Sequence, residues 1–169
     1  MHDRRSEIEG RLARIMDERL RPAVHTTLTP LTVEVWHVPP DPYGHVGEPV
    51  PFREACRAPY VPGQVGLRWG PAWGTTWFRL TGTVPTDAET PEAVVDLGWS
   101  TAQPGFQAEA LVYDGDGRTV KGLHPRSSWL PATPGQRIEW YVEAAANPAI
   151  LSGWQPTEEG DRLTASGEP

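Results

Sequence analysis

Near the start of the chain, apolar residues return at helical intervals. Ile8, Leu12, Ile15, Met16 and Leu20 form one stripe among charged positions. Ser6 followed by Glu9 has capping-box spacing, so a helix is expected from Ser6 to Leu20, ended by Pro22. A helix of this length is marginal alone in water, so its stripe needs cover. With no second helix in the pattern, the expected cover is the β structure that follows or a part of the protein outside this chain.

From Leu31 the period changes to two. Leu31, Val33 and Val35 alternate with Thr32, Glu34 and Trp36, as a half-buried strand requires. A Pro- and Gly-rich passage runs from Pro39 to Gly70, with a short strand expected only near Val50 to Phe52. Further strands are expected at Thr75–Val84, where Phe78, Leu80 and Val84 share a face, and at Ala93–Leu97. Ala108–Tyr113 and Arg118–Lys121 flank Asp114-Gly115-Asp116-Gly117, a hairpin signal. The last strand is Arg137–Ala144, with Ile138, Trp140 and Val142 inward. After Pro156 periodicity is lost. About six short strands with turns between them predict a mainly β fold: an antiparallel β-sandwich of jelly-roll, galactose-binding-like type with one N-terminal helix. Architecture of this kind hosts unrelated activities, so it does not give function.

Composition narrows the classes. The 169 residues suit one domain with a core. No apolar run is long enough to span a bilayer, and the charged N-terminus does not resemble a secretory signal. A single cysteine, Cys56, excludes an intramolecular disulfide; a cytoplasmic location is expected. Fifteen Lys and Arg against 22 Asp and Glu give a net charge of −7, which argues against nucleic acid as a partner. Nineteen prolines and 17 glycines leave little room for long helices.

Few residues carry chemistry. The five histidines show no ligand spacing and Cys56 has no His or Cys beside it, so no metal site is expected. Asp114 to Gly117 superficially matches the start of a calcium loop, but Arg118 holds the next acidic position; a hairpin turn accounts for it. Glu109, Asp114, Glu139 and Glu143 are the carboxylates that glycoside hydrolysis would need in pairs, and nothing in their spacing sets two across a cleft. No catalytic residue is therefore assigned. Eight tryptophans are many for this length. Trp69, Trp73 and Trp77 recur every fourth residue, interrupted by Gly70, Pro71 and Gly74, and lead into a strand. Together with His124, in Lys-Gly-Leu-His-Pro, they are the candidate substrate-binding residues. The competing reading packs these tryptophans under the loop or against another domain, with Trp77 buried.

Three stretches resemble the region preceding the catalytic domain in bacterial and yeast vacuolar-type family 38 glycoside hydrolases, the α-mannosidases. The first is Trp69-Gly70-Pro71-Ala72-Trp73-Gly74-Thr75-Thr76-Trp77-Phe78-Arg79, with Gly82-Thr83-Val84-Pro85 after it. The second runs from Pro104-Gly105-Phe106-Gln107 through Tyr113-Asp114 to Val120-Lys121-Gly122-Leu123-His124-Pro125-Arg126. The third is Trp140-Tyr141-Val142-Glu143-Ala144-Ala145-Ala146-Asn147-Pro148. Departures are local: Ala110 replaces an expected glycine, and Ser127-Ser128-Trp129 replaces a more polar segment.

The resemblance implies an accessory domain with a helix and connector at 1–30, the sandwich at 31–155, and a linker at 156–169 toward a catalytic domain. The parent would be a retaining, metal-dependent hydrolase of α-mannosides. Its divalent metal, usually zinc, would lie in that further domain, because no His-x-His-x-Asp arrangement occurs here and no cofactor is expected in this chain. The implied partner is the chain's own catalytic domain, with mannosides and a second copy of the chain as further candidates. No membrane partner is implied. The alternative is a free-standing carbohydrate-binding module or lectin; a third reading is the similar sandwich of a β-glycosidase. The residues following Pro169 would distinguish them.

Overall fold

The structure, a computed structural model, describes residues 4–100, 105 and 107–147. The expected 156–169 linker lies outside these. Two compact units divide at Pro30/Leu31.

In the first unit, helix α1 (Arg5–Ile15) passes through a π-helical segment (Met16–Leu20) into the short helix α2 (Arg21–Val24). Two expectations fail here. The capping box does not form: Arg4 is the N-cap without a side-chain bond, and Glu9 instead pairs with Arg5 at 2.7 Å. Pro22 does not end the helix; the helical backbone continues through it to Val24. The end comes at His25, in extended conformation. No residue of these elements is buried. Ile8, Leu12 and Ile15 each keep about half their surface exposed, because a single run of helix offers its own stripe nothing to pack on.

The second unit is an antiparallel sandwich. Its strands are β1 (Thr32–His37), β2 (Val61–Pro62), β3 (Thr75–Thr83), β4 (Glu92–Val94), β5 (Glu109–Asp114), β6 (Thr119–Leu123), β7 (Trp129–Pro131) and β8 (Arg137–Ala145). Six form one sheet in the order β2-β1-β3-β8-β5-β6, and β4 pairs with β7 in a second. The long strands β3 and β8 lie at the centre of the large sheet, paired from Thr75↔Ala145 to Thr83↔Arg137. Their alternation supplies the core: Phe78, Leu80, Ile138, Trp140 and Val142 pack with Val35, Val112 and Leu123 against Ala93 and Leu130 of the small sheet.

The other face of the large sheet is also covered. Trp77 and Tyr141 lie there under a helical turn, α3 (Phe52–Ala55), in a second cluster with Val38 and Ala55. Residues 50–52 are therefore not a strand. Pro51 begins α3, and Phe52 packs edge-on against Tyr141 at 5.3 Å. This cover also explains why β1 carries apolar groups on both faces, Val35 in the main core and Trp36 against the second cluster. The Asp114–Gly117 hairpin forms as expected: Asp114 Oδ1 accepts from the N–H groups of Asp116 and Arg118, both at 2.9 Å. Gly117 takes the positive φ of 81° that closes the turn.

Candidate functional site

The loop entering β3 is fixed by backbone hydrogen bonds. Trp73 N–H donates to Ala146 O at 2.9 Å, Ala146 N–H donates to Gly74 O at 2.9 Å, and Gly74 N–H donates to Pro71 O at 3.0 Å. The Gly70–Pro71 bond is cis. A Cβ at Gly74 would lie 3.0 Å from Pro71 O, so any larger residue would require this backbone to give way. Held in this frame, Trp73 has φ 64°, a left-handed conformation that a bulky side chain rarely takes, and it is 45% exposed.

The three tryptophans do not form a platform. Trp69 is buried in the main core, edge-on to Phe78 at 5.7 Å, and its Nε1–H donates to Leu97 O at 3.1 Å. Trp77 is fully buried in the second cluster, stacked on Tyr113 at 5.6 Å. Trp77 and Phe78 are successive residues of β3, so the large sheet itself separates Trp77 from Trp69. Neither buried ring is open to a ligand from solvent, which leaves Trp73 as the exposed member of the three. His124 is exposed at the end of β6, where Ser127 N–H donates to its carbonyl at 2.8 Å. Its Nδ1 accepts from Arg126 N–H at 3.3 Å, so the ring helps to hold its own turn.

Three of the four candidate carboxylates, Asp114, Glu139 and Glu143, are engaged structurally. Arg79 on β3 bridges two neighbouring strands: Nη2 donates to Glu139 at 2.7 Å and Nη1 to Glu34 at 3.4 Å. The bond from Arg79 holds the Glu139 carboxyl below its ordinary pKa of 4.5, opposite to what a general acid for glycoside hydrolysis needs. Glu143 accepts from the Tyr113 hydroxyl at 2.9 Å, and burial followed by that bond pushes Tyr113 up to about 12. Among the described residues, no group of three or more His, Cys, Asp or Glu comes together to hold a metal ion.

A second exposed apolar feature lies on the outer face of the small sheet. Val94 and Trp129 stand directly opposite one another in the β4–β7 register, 59% and 41% exposed. Lys121 Nζ sits 3.3 Å from the Trp129 ring centroid. Sequence reading missed this pair because β7 is only three residues long.

A family model described as "Alpha-mannosidase, jelly roll domain" matches residues 29–164. Alpha-mannosidase 2C1 of Homo sapiens is 34% identical over 114 residues, covering 63% of this chain and 10% of that protein. Alpha-mannosidase 2C1 of Mus musculus is 32% identical over 114 residues with the same coverage. The chain thus spans about a tenth of the length of the curated relatives it matches. No helix among the described residues is long and apolar enough to cross a membrane.

Proposed function

The chain belongs to the α-mannosidase jelly roll domain family, and from that premise we propose that it is the non-catalytic domain of an α-mannosidase, bracing the catalytic domain. The parent would be a retaining, metal-dependent hydrolase of α-mannosides. The described residues do not fit the zinc such an enzyme uses, since no cluster of ligands assembles among them, so the metal is assigned to the catalytic domain.

Bracing is favoured over sugar binding by the Trp73 loop. A bulky residue held at positive φ by three backbone hydrogen bonds presents one exposed ring, without a second aromatic beside it from Trp69 or Trp77. A lone rigid aromatic suits an anchor seated in a protein partner. Val94 and Trp129 add apolar surface of the same kind.

The test is a titration of the chain with methyl α-mannoside, followed at the indole N–H signals, alongside an assay with an aryl α-mannoside with and without zinc. Neither saturable shifts at Trp73 nor turnover is expected. Saturation at millimolar mannoside that Trp73→Ala abolishes would establish the lectin reading instead.

A further inference from the structure

A cleft lies beside the cover over the second cluster. Set between β1 and the segment that leaves α3, it has a volume of about 530 Å³ and is lined by Trp36, Arg53, Glu54, Arg57, Ala58 and Pro59. Small-molecule sites span roughly 300–1,000 Å³, so the cleft has room for a single sugar ring with a substituent.

Its walls are fixed from behind. Ala55 is fully buried, and Phe52 packs against Trp77, Tyr113 and Tyr141. A Cβ at Gly117 would strike the Phe52 ring at 2.6 Å, so the hairpin turn presses directly on α3. The helical turn continues past α3, with Arg57 N–H donating to Glu54 O at 3.0 Å and Ala58 N–H to Ala55 O at 3.0 Å. Arg53 and Arg57 both line the cleft from this packed turn. Trp36 is half-buried and rests on the second cluster, opposite Trp77 in the β1–β3 register.

Charge makes the place unusual. On a chain of net charge −7, two exposed guanidinium groups line one cleft, and among the described residues neither has an ion-pair partner. Glu54 lines the same cleft, so the two arginines exceed it by one positive charge, and it forms no ion pair with either among the described residues. Neighbouring like charges repel, so an anion placed between them is favoured, and the guanidinium fork matches a carboxylate or phosphate group. Trp36 supplies an aromatic wall and Glu54 an acceptor for hydroxyl groups.

We propose that this cleft binds an anionic monosaccharide, with the ring against Trp36 and its carboxylate or phosphate held by Arg53 and Arg57. The proposal does not depend on the bracing role, and its readout lies at Trp36 instead of Trp73.

The test is a site-resolved ¹⁵N–¹H titration of the full chain with glucuronate, glucose 6-phosphate, glucose and inorganic phosphate. Both anionic hexoses should move the Trp36 indole N–H and the amides near Arg53 and Arg57 saturably, and the tighter of the two identifies the anion. Glucose and inorganic phosphate should each bind about tenfold more weakly or worse, since each lacks one half of the recognition. Arg53→Gln and Arg57→Gln should each weaken the anionic hexoses by about tenfold, the loss expected for a bond to a charged group. Both are exposed, so the melting temperature should hold. Trp36→Ala also removes packing from the second cluster, so the arginine variants carry the test. No saturation at Trp36 up to about 50 mM ligand, an affinity too weak to matter, would overturn the proposal. So would inorganic phosphate matching glucose 6-phosphate, glucose matching both anions, or unchanged affinity in the arginine variants.

Discussion

Trp73 and Trp77 show how one residue type takes opposite roles four positions apart. Trp73 occupies a backbone conformation that costs an L-residue roughly 1–2 kcal/mol and costs glycine nothing. Its side chain is 45% exposed, so the packing it makes is lost equally in a glycine or an alanine variant, and the backbone cost separates the two. Trp73→Gly should therefore melt higher than Trp73→Ala, by about 1 kcal/mol of stability. A glycine variant less stable than the alanine variant would show that the loop does not hold the left-handed geometry. Trp77 is fully buried and stacked on Tyr113. Trp77→Ala should cost about 3–5 kcal/mol in chemical denaturation, the range for a core aromatic. A loss below about 1 kcal/mol would be surface behaviour and would contradict the second cluster.

At the scale of elements, the central strands were legible because their alternation is long. Phe78 and Leu80 on β3, and Ile138, Trp140 and Val142 on β8, repeat at period two and reach the core. The hairpin was legible from Asp114 to Gly117, where turn chemistry is local. Short elements were not. β2 and β7 have two and three residues, too few to show a period, and α3 is a single turn inside a proline-rich passage. The candidate site was legible only in part. Spacing grouped Trp69, Trp73 and Trp77, but strand alternation sends Trp77 to one face while Trp69 packs in the core on the other. Trp36, Arg53 and Arg57 meet only because the chain folds back over β1, which no local pattern encodes.

The same covered face binds its strands together by charge. Arg79 links β1 and β8 across β3 through Glu34 and Glu139. Because the folded pKa of Glu139 lies below 4.5, its contribution is complete above that value and is lost as pH falls through the lowered one. The pair is about one-third exposed, and solvent screening leaves it worth about 0.5 kcal/mol. Glu139→Gln should melt below the parent chain at neutral pH, with the gap closing under acid conditions. A gap that widens on acidification would reverse the assigned sign.

For the whole molecule, the bracing account turns on surface that is apolar and fixed. Trp73, Val94 and Trp129 are exposed on well-packed elements, and the family match places the chain among α-mannosidase jelly roll domains. The most direct measurement is the melting temperature and aryl α-mannosidase activity of the proposed parent enzyme, intact and with residues 31–147 removed, before and after adding the purified chain. Bracing predicts that removal lowers both and that the added chain restores them, while the Trp73→Ala chain restores them less. A parent enzyme that keeps its activity and melting temperature without these residues would contradict it.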